Sequence, residues 1–91
     1  MRPLDWVRFT EGLEYGEDVV YRAVTADGYV LEATCLEAFG PYARAIVPGT
    51  RDLGLDTIAF TGTDAAETIC NGQREALRLL ARLRAMIGDE P

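Results

Sequence analysis

Residues 63–87, TDAAETICNGQREALRLLARLRAMI, repeat apolar side chains at the spacing of a helix that is buried on one side. At about 100° per residue, Ala65, Ile69, Gln73, Ala76, Leu77, Leu80, Leu83, Arg84 and Ile87 share one broad face. Leu79 and Met86 widen it on one side and Cys70 on the other, while Glu67, Asn71, Arg74, Glu75, Arg78 and Arg82 point away. Such a stripe has to be covered by another layer, and every upstream segment with regular patterning reads as strand. The expected fold is therefore α+β, an antiparallel β-sheet of four or five strands packed by one C-terminal α-helix.

The ends of the helix, at about residues 64 and 87, are written in local chemistry. Thr63 or Asp64 supplies an N-cap, and Asp64 with Glu67 three residues on forms a capping-box pattern. Acids in the first turn and arginines toward the end match the helix dipole. Gly88 is a natural stop. Asn71-Gly72 breaks the pattern in the middle, because an interior glycine costs about 1 kcal/mol relative to alanine. One continuous helix is expected, with Gly72 allowing close approach to the sheet. The alternative is a break that starts the main helix near Asn71.

Upstream, strands are expected over about residues 4–61. Residues 4–10, LDWVRFT, are rich in aromatic and branched side chains and suit an edge strand. Residues 19–26 and 29–36 flank Asp27-Gly28, a strong signal for a hairpin with a two-residue type I′ turn. That loop length sets Ala26 opposite Tyr29, Val24 opposite Leu31, Arg22 opposite Ala33 and Val20 opposite Cys35, on the face expected under the helix. The other face then holds Val19, Tyr21, Val30 and Leu36 with nothing to cover them, which points to a two-fold dimer. Residues 42–47 form a further strand after a turn at 39–41, residues 50–56 a loop, and residues 57–61 the last strand.

At 91 residues the chain is expected to form a single domain, residues 1–91. No apolar run approaches the ~20 residues of a membrane span, and the N-terminal residues lack the apolar core of a signal peptide. A cytoplasmic protein without a membrane partner is the expectation. The net charge is −6, and all nine basic residues are arginine; histidine, lysine and serine are absent. Imidazole bases and imidazole metal ligands are thereby excluded, as are lysine Schiff bases and serine nucleophiles. Cys35 and Cys70 form no metal-binding spacing and read as reduced, buried, small apolar residues. The expectation is a noncatalytic protein with no cofactor and no metal site.

What remains is binding. Glu11, Glu14, Glu17 and Asp18 crowd one Gly-interrupted loop, interleaved with Leu13 and Tyr15 as contact area. Arg74, Arg78 and Arg82 follow i, i+4 spacing on the outer side of the helix. An acidic whole disfavours direct nucleic-acid binding and suits a basic protein partner. The partner-binding candidates are therefore Glu11, Glu14, Tyr15, Glu17, Asp18, Arg74, Arg78 and Arg82. The expected role is an acidic protein-binding module that neutralises a basic partner, as antitoxins, immunity proteins and phage inhibitors do. An anti-CRISPR-like inhibitor of a nuclease complex, a structural oligomer subunit and a small enzyme are the alternatives.

Three segments, VTADGYVLE (24–32), GTDAAE (62–67) and REAL (74–77), resemble the HicB-like antitoxins. Members of that family also run strand, acidic-Gly-aromatic turn, strand, and later a Gly-x-Thr-x-x-Glu-Ala helix start. The resemblance implies the same β-then-α layout and a role in neutralising a toxin.

Overall fold

The computed structural model describes residues 4–10, 19–36, 40–51 and 53–88. Five strands, β1 (Val7–Thr10), β2 (Val19–Val24), β3 (Val30–Leu36), β4 (Gly40–Ile46) and β5 (Gly54–Thr57), precede helix α1 (Ala65–Met86). Each strand pairs antiparallel with the next, giving the order β1-β2-β3-β4-β5. The helix lies across β3, β4 and β5. This is the α+β sheet-and-helix arrangement that the sequence pattern implies.

The hairpin between β2 and β3 departs from the expected turn. Val24 lies opposite Val30, Arg22 opposite Glu32 and Val20 opposite Thr34, one residue away from the register of a two-residue loop. The Thr25 N–H donates to Tyr29 O and the Gly28 N–H to Thr25 O, both at 2.9 Å. Thr25 and Tyr29 thus close a three-residue loop, in which Gly28 alone adopts positive φ, at 92°. A type I turn followed by a left-handed glycine accounts for this geometry. The Thr25 hydroxyl steadies it by donating to Asp27 Oδ1 at 2.6 Å and accepting from the Tyr29 N–H at 2.9 Å.

A shift of one residue moves every β2 side chain to the other face. Tyr21 and Ala23 share the helix side with Tyr29, Leu31 and Ala33, whereas Val20, Arg22 and Val24 join Val30, Glu32 and Thr34 on the second face. The pairing expected from sequence therefore assigned β3 to the correct faces and reversed β2. Among the residues expected to be uncovered, Tyr21 occupies a helix-side register position and Val30 the opposite side.

Other boundaries also move. Leu4 and Trp6 precede β1 and pack on the core cluster. The last strand is Gly54–Thr57, so that 54–56 of the segment read as a loop belong to it, and 58–61 of the expected strand lie beyond it. A tight turn explains this: Gly49 takes φ of 75° after Pro48, and the Val47 N–H donates to Leu53 O at 2.8 Å. The chain thus re-enters the sheet as soon as Pro48-Gly49 has reversed it. A Cβ at Gly54 would come within 2.0 Å of Ala45 O, so only glycine tolerates this approach.

The core is a layer of small sheet residues under long helix residues. Ala43 and Ala45 are fully buried with Tyr29 and Leu31, and Ala76, Leu79, Leu80 and Leu83 close over them. Burying each leucine contributes about 2 kcal/mol. Gly72 marks the closest approach: a Cβ there would sit 3.0 Å from the Phe60 ring and 3.2 Å from the Ala33 Cβ. The helix accordingly runs unbroken through Asn71-Gly72.

Its buried stripe centres on Thr68, Ile69, Gly72, Ala76, Leu79, Leu80 and Leu83, rotated by roughly 50° from the stripe expected. Leu77 is exposed in consequence, while Met86 and Ile87 are exposed at the C-terminal end of the helix. Cys70 is exposed too and Cys35 only half-buried, which corrects the expectation that both are buried. The N-cap is Asp64, whose Oδ1 accepts from the Glu67 N–H at 2.8 Å, while the Thr63 hydroxyl donates to the Glu67 carboxylate at 2.9 Å. Asn71 Nδ2 adds a bond to Thr61 O at 2.6 Å, tying the incoming chain to the first turns.

Candidate functional site

The candidate residues fall on three places. Glu11, Glu14, Tyr15, Glu17 and Asp18 lie outside the described residues. Arg74, Arg78 and Arg82 project from the exposed side of α1, about 6 Å apart along its axis at 1.5 Å per residue. Arg78 is held by Glu75, with Nη1 at 3.0 and 3.2 Å from the two carboxylate oxygens. Arg74 and Arg82 carry no ion pair among the described residues. The row is thus a cationic ridge on an anionic protein, able to meet a carboxylate or phosphate surface.

A second cluster joins the end of the helix to the hairpin. Arg84 Nη2 donates to Asp27 Oδ1 at 2.7 Å and to Oδ2 at 2.9 Å, across 57 positions of sequence. Its guanidinium stacks over Tyr29 at 5.0 Å from the ring centroid, a favourable cation–π distance. Arg84 Nε is buried without a hydrogen-bond acceptor among the described residues. Asp27 has its carboxyl held below the ordinary value, chiefly by the Thr25 hydroxyl, with the Arg84 cation adding to the effect. Tyr29, Val47, Pro48, Ile87 and Gly88 surround Asp27 in a shallow, open depression. The cluster fastens the helix to the sheet and leaves little concavity for a ligand.

The third place went unnoticed in the sequence. On the sheet face away from the helix, Arg22, Glu32, Arg44 and Asp56 stand side by side on β2, β3, β4 and β5. Glu32 is only 6% exposed, yet ionisable. Its Oε2 accepts from Arg22 Nε at 2.9 Å and Nη2 at 2.6 Å, a fork on one oxygen. Arg44 Nη1 lies 3.8 Å from Oε1, a charge contact rather than a hydrogen bond. Asp56, exposed beside Arg44, has no ion pair among the described residues. The signal was the register: with a three-residue loop, these four residues fall on one face in one row.

Among the described residues no group of three or more cysteine or carboxylate side chains could hold a metal ion. No helix among them is long and apolar enough to cross a membrane. Compared with protein-family models, with curated proteins and with solved structures, the chain matches none.

Proposed function

We propose that the protein is a small noncatalytic binding module that recognises a basic protein partner and neutralises it, in the manner of an antitoxin, immunity protein or phage-encoded inhibitor. The observation that carries the reading is the distribution of charge. Eleven acids stand against five arginines before the helix, whereas the helix holds four arginines against two glutamates. Carboxylates concentrated on one part of a small protein imitate a phosphate backbone, and basic nucleic-acid-binding proteins answer to that chemistry. The acidic loop, with Glu11, Glu14, Glu17 and Asp18 around Tyr15, is the proposed contact. Arg74, Arg78 and Arg82 form a ridge of opposite sign that fixes the orientation of the partner. The resemblance to HicB-like antitoxins agrees with this role.

The test is association with a captured partner. Immobilised full-length chain is exposed to lysate at low salt, bound proteins are released by a salt step, and the main one is purified for kinetics. A basic nucleic-acid-binding protein is expected. Its association rate should fall as the Debye length shrinks from ~10 Å at 0.1 M toward ~3 Å at 1 M. Replacing the four loop acids by Gln and Asn should slow association at low salt without unfolding the domain. A partner whose association ignores both salt and the loop substitutions would contradict the proposal.

A further inference from the structure

The row Arg22, Glu32, Arg44, Asp56 alternates in sign across four neighbouring strands, plus, minus, plus, minus. A pattern of this kind is its own complement when reversed. Stacking a second copy face to face, related by a two-fold axis that runs parallel to the strands between β3 and β4, reverses the row. Arg22 then lies over Asp56 of the second copy, and Glu32 over Arg44 of the second copy, with the two equivalent contacts following by symmetry. Moving the axis onto β3 or β4 instead sets like charges against each other, and an axis running across the strands sets Arg22 over itself. An axis between β2 and β3, or between β4 and β5, pairs only two residues of the row with opposite charges; the axis between β3 and β4 alone pairs all four.

Steric features agree. The same reversal places Val24, 58% exposed, over Gly54, which has no side chain, and Val30 over Ile46. Val20 and Thr34, at the other end of this face, are already buried within the single chain, and so is Glu32, whose charge acts from beneath its arginines; contact falls on Arg22, Arg44 and Asp56 and on the Val24–Val30 tier. An axis parallel to the strands keeps the two sheets aligned, the common mode of sheet-on-sheet packing, at about 10 Å. Within one chain, Arg44 reaches Glu32 only at 3.8 Å and Asp56 has no ion pair among the described residues, which leaves both available to a facing row.

We infer that the protein self-associates as a two-fold dimer through this second sheet face, with the alternating row setting the register. The contact is isologous and self-complementary, as a two-fold interface must be. It stands independently of the proposed basic partner, whose contact lies in the acidic loop.

The test is sedimentation equilibrium of the full chain from about 1 μM to about 1 mM, a range that reads weak association. Wild type should shift from monomer to dimer, and the shift should weaken with salt. Asp56→Arg sets an arginine over Arg22 of the second copy and should raise the dissociation constant at least about tenfold. Val24→Arg should do the same by steric and charge conflict. Both positions are exposed in the monomer, so each variant should keep its circular dichroism and thermal midpoint. Ala81→Gln, at an exposed position of the helix on the far side of the molecule, should leave association unchanged. A chain that stays monomeric throughout would overturn the inference and leave the face to a different protein. A dimer indifferent to both Asp56→Arg and Val24→Arg would overturn it equally, because the contact would then lie elsewhere.

Discussion

The two faces of the sheet are organised by opposite means. Toward the helix, small residues predominate: Ala23, Ala33, Ala43 and Ala45 are all buried, and the leucines of α1 fill the space above them. Cohesion there runs between layers, and it depends on how near the helix can come. On the second face, Arg22 bonds to Glu32 and Arg44 approaches it from the other side, so the contacts run along the sheet. Glu32 is nevertheless as buried as Leu80, both 6% exposed. An ion can be buried without a covering helix when flanking arginine stems fold over it and their charged ends stay wet. Burial alone thus fails to tell a core from a polar ladder; the direction of the contacts does.

The largest expected difference between the faces is in stability. Leu80→Ala should cost about 3 kcal/mol in urea unfolding, since it opens a cavity in the inter-layer core. The comparable truncation Val24→Ala on the second face should stay within about 0.5 kcal/mol at low protein concentration. Similar losses at both would mean that the second face is a core in its own right. A smaller effect is expected at the point of closest approach. Gly72→Val should destabilise by about 2 kcal/mol, because the added atoms meet Phe60 and Ala33 where a Cβ already stands at 3.0–3.2 Å. An unchanged or raised stability would show that the helix rides higher over the sheet than described.

The smallest effect concerns pH. Asp27 is exposed, and its carboxyl is held below the ordinary value of 3.8, so its contribution is complete above that value. It is lost as pH falls through the lower folded value, when the proton displaces the Thr25 and Arg84 contacts. Asp27→Asn should therefore flatten the acid end of the thermal midpoint profile, and leave the midpoint only slightly lower near neutrality. A wild-type and variant pair with parallel acid limbs would show that the clasp does not respond to protons.

Much of this was legible in the chain. Asp64 and Glu67 marked the start of the helix, Gly88 its end, and Gly72 its close approach, because each of those residues acts through local backbone geometry. Turn length was harder. Asp27-Gly28 serves equally as the centre of a two-residue loop and as the end of a three-residue one, and the Thr25 hydroxyl that favours the second acts through its contacts with Asp27 and Tyr29. Choosing the shorter loop reversed β2, hid the Arg22–Glu32 pair, and suggested a dimer surface containing Tyr21, which belongs to the helix side. Likewise β5 is half glycine and aspartate, GLDT, a composition that propensity assigns to a loop; its place is fixed by the turn before it. The exposure of Cys70 depends on the rotation of the helix, which the volumes beneath it decide. The arginine ridge was visible as spacing alone, whereas the Arg84–Asp27 clasp joins positions too far apart in sequence for any pattern to connect them.

Register is the claim on which both faces rest, and a double-mutant cycle between Arg22 and Glu32 reads it most directly. In the observed pairing the two lie opposite each other and share a forked bond. In the two-residue-loop pairing they would stand on opposite faces of the sheet. Arg22→Gln, Glu32→Gln and the double variant, each unfolded in urea, should give a coupling of about 1 kcal/mol, modest because Arg22 is partly exposed. Additive losses, with a coupling of zero, would contradict the register and with it the charged row.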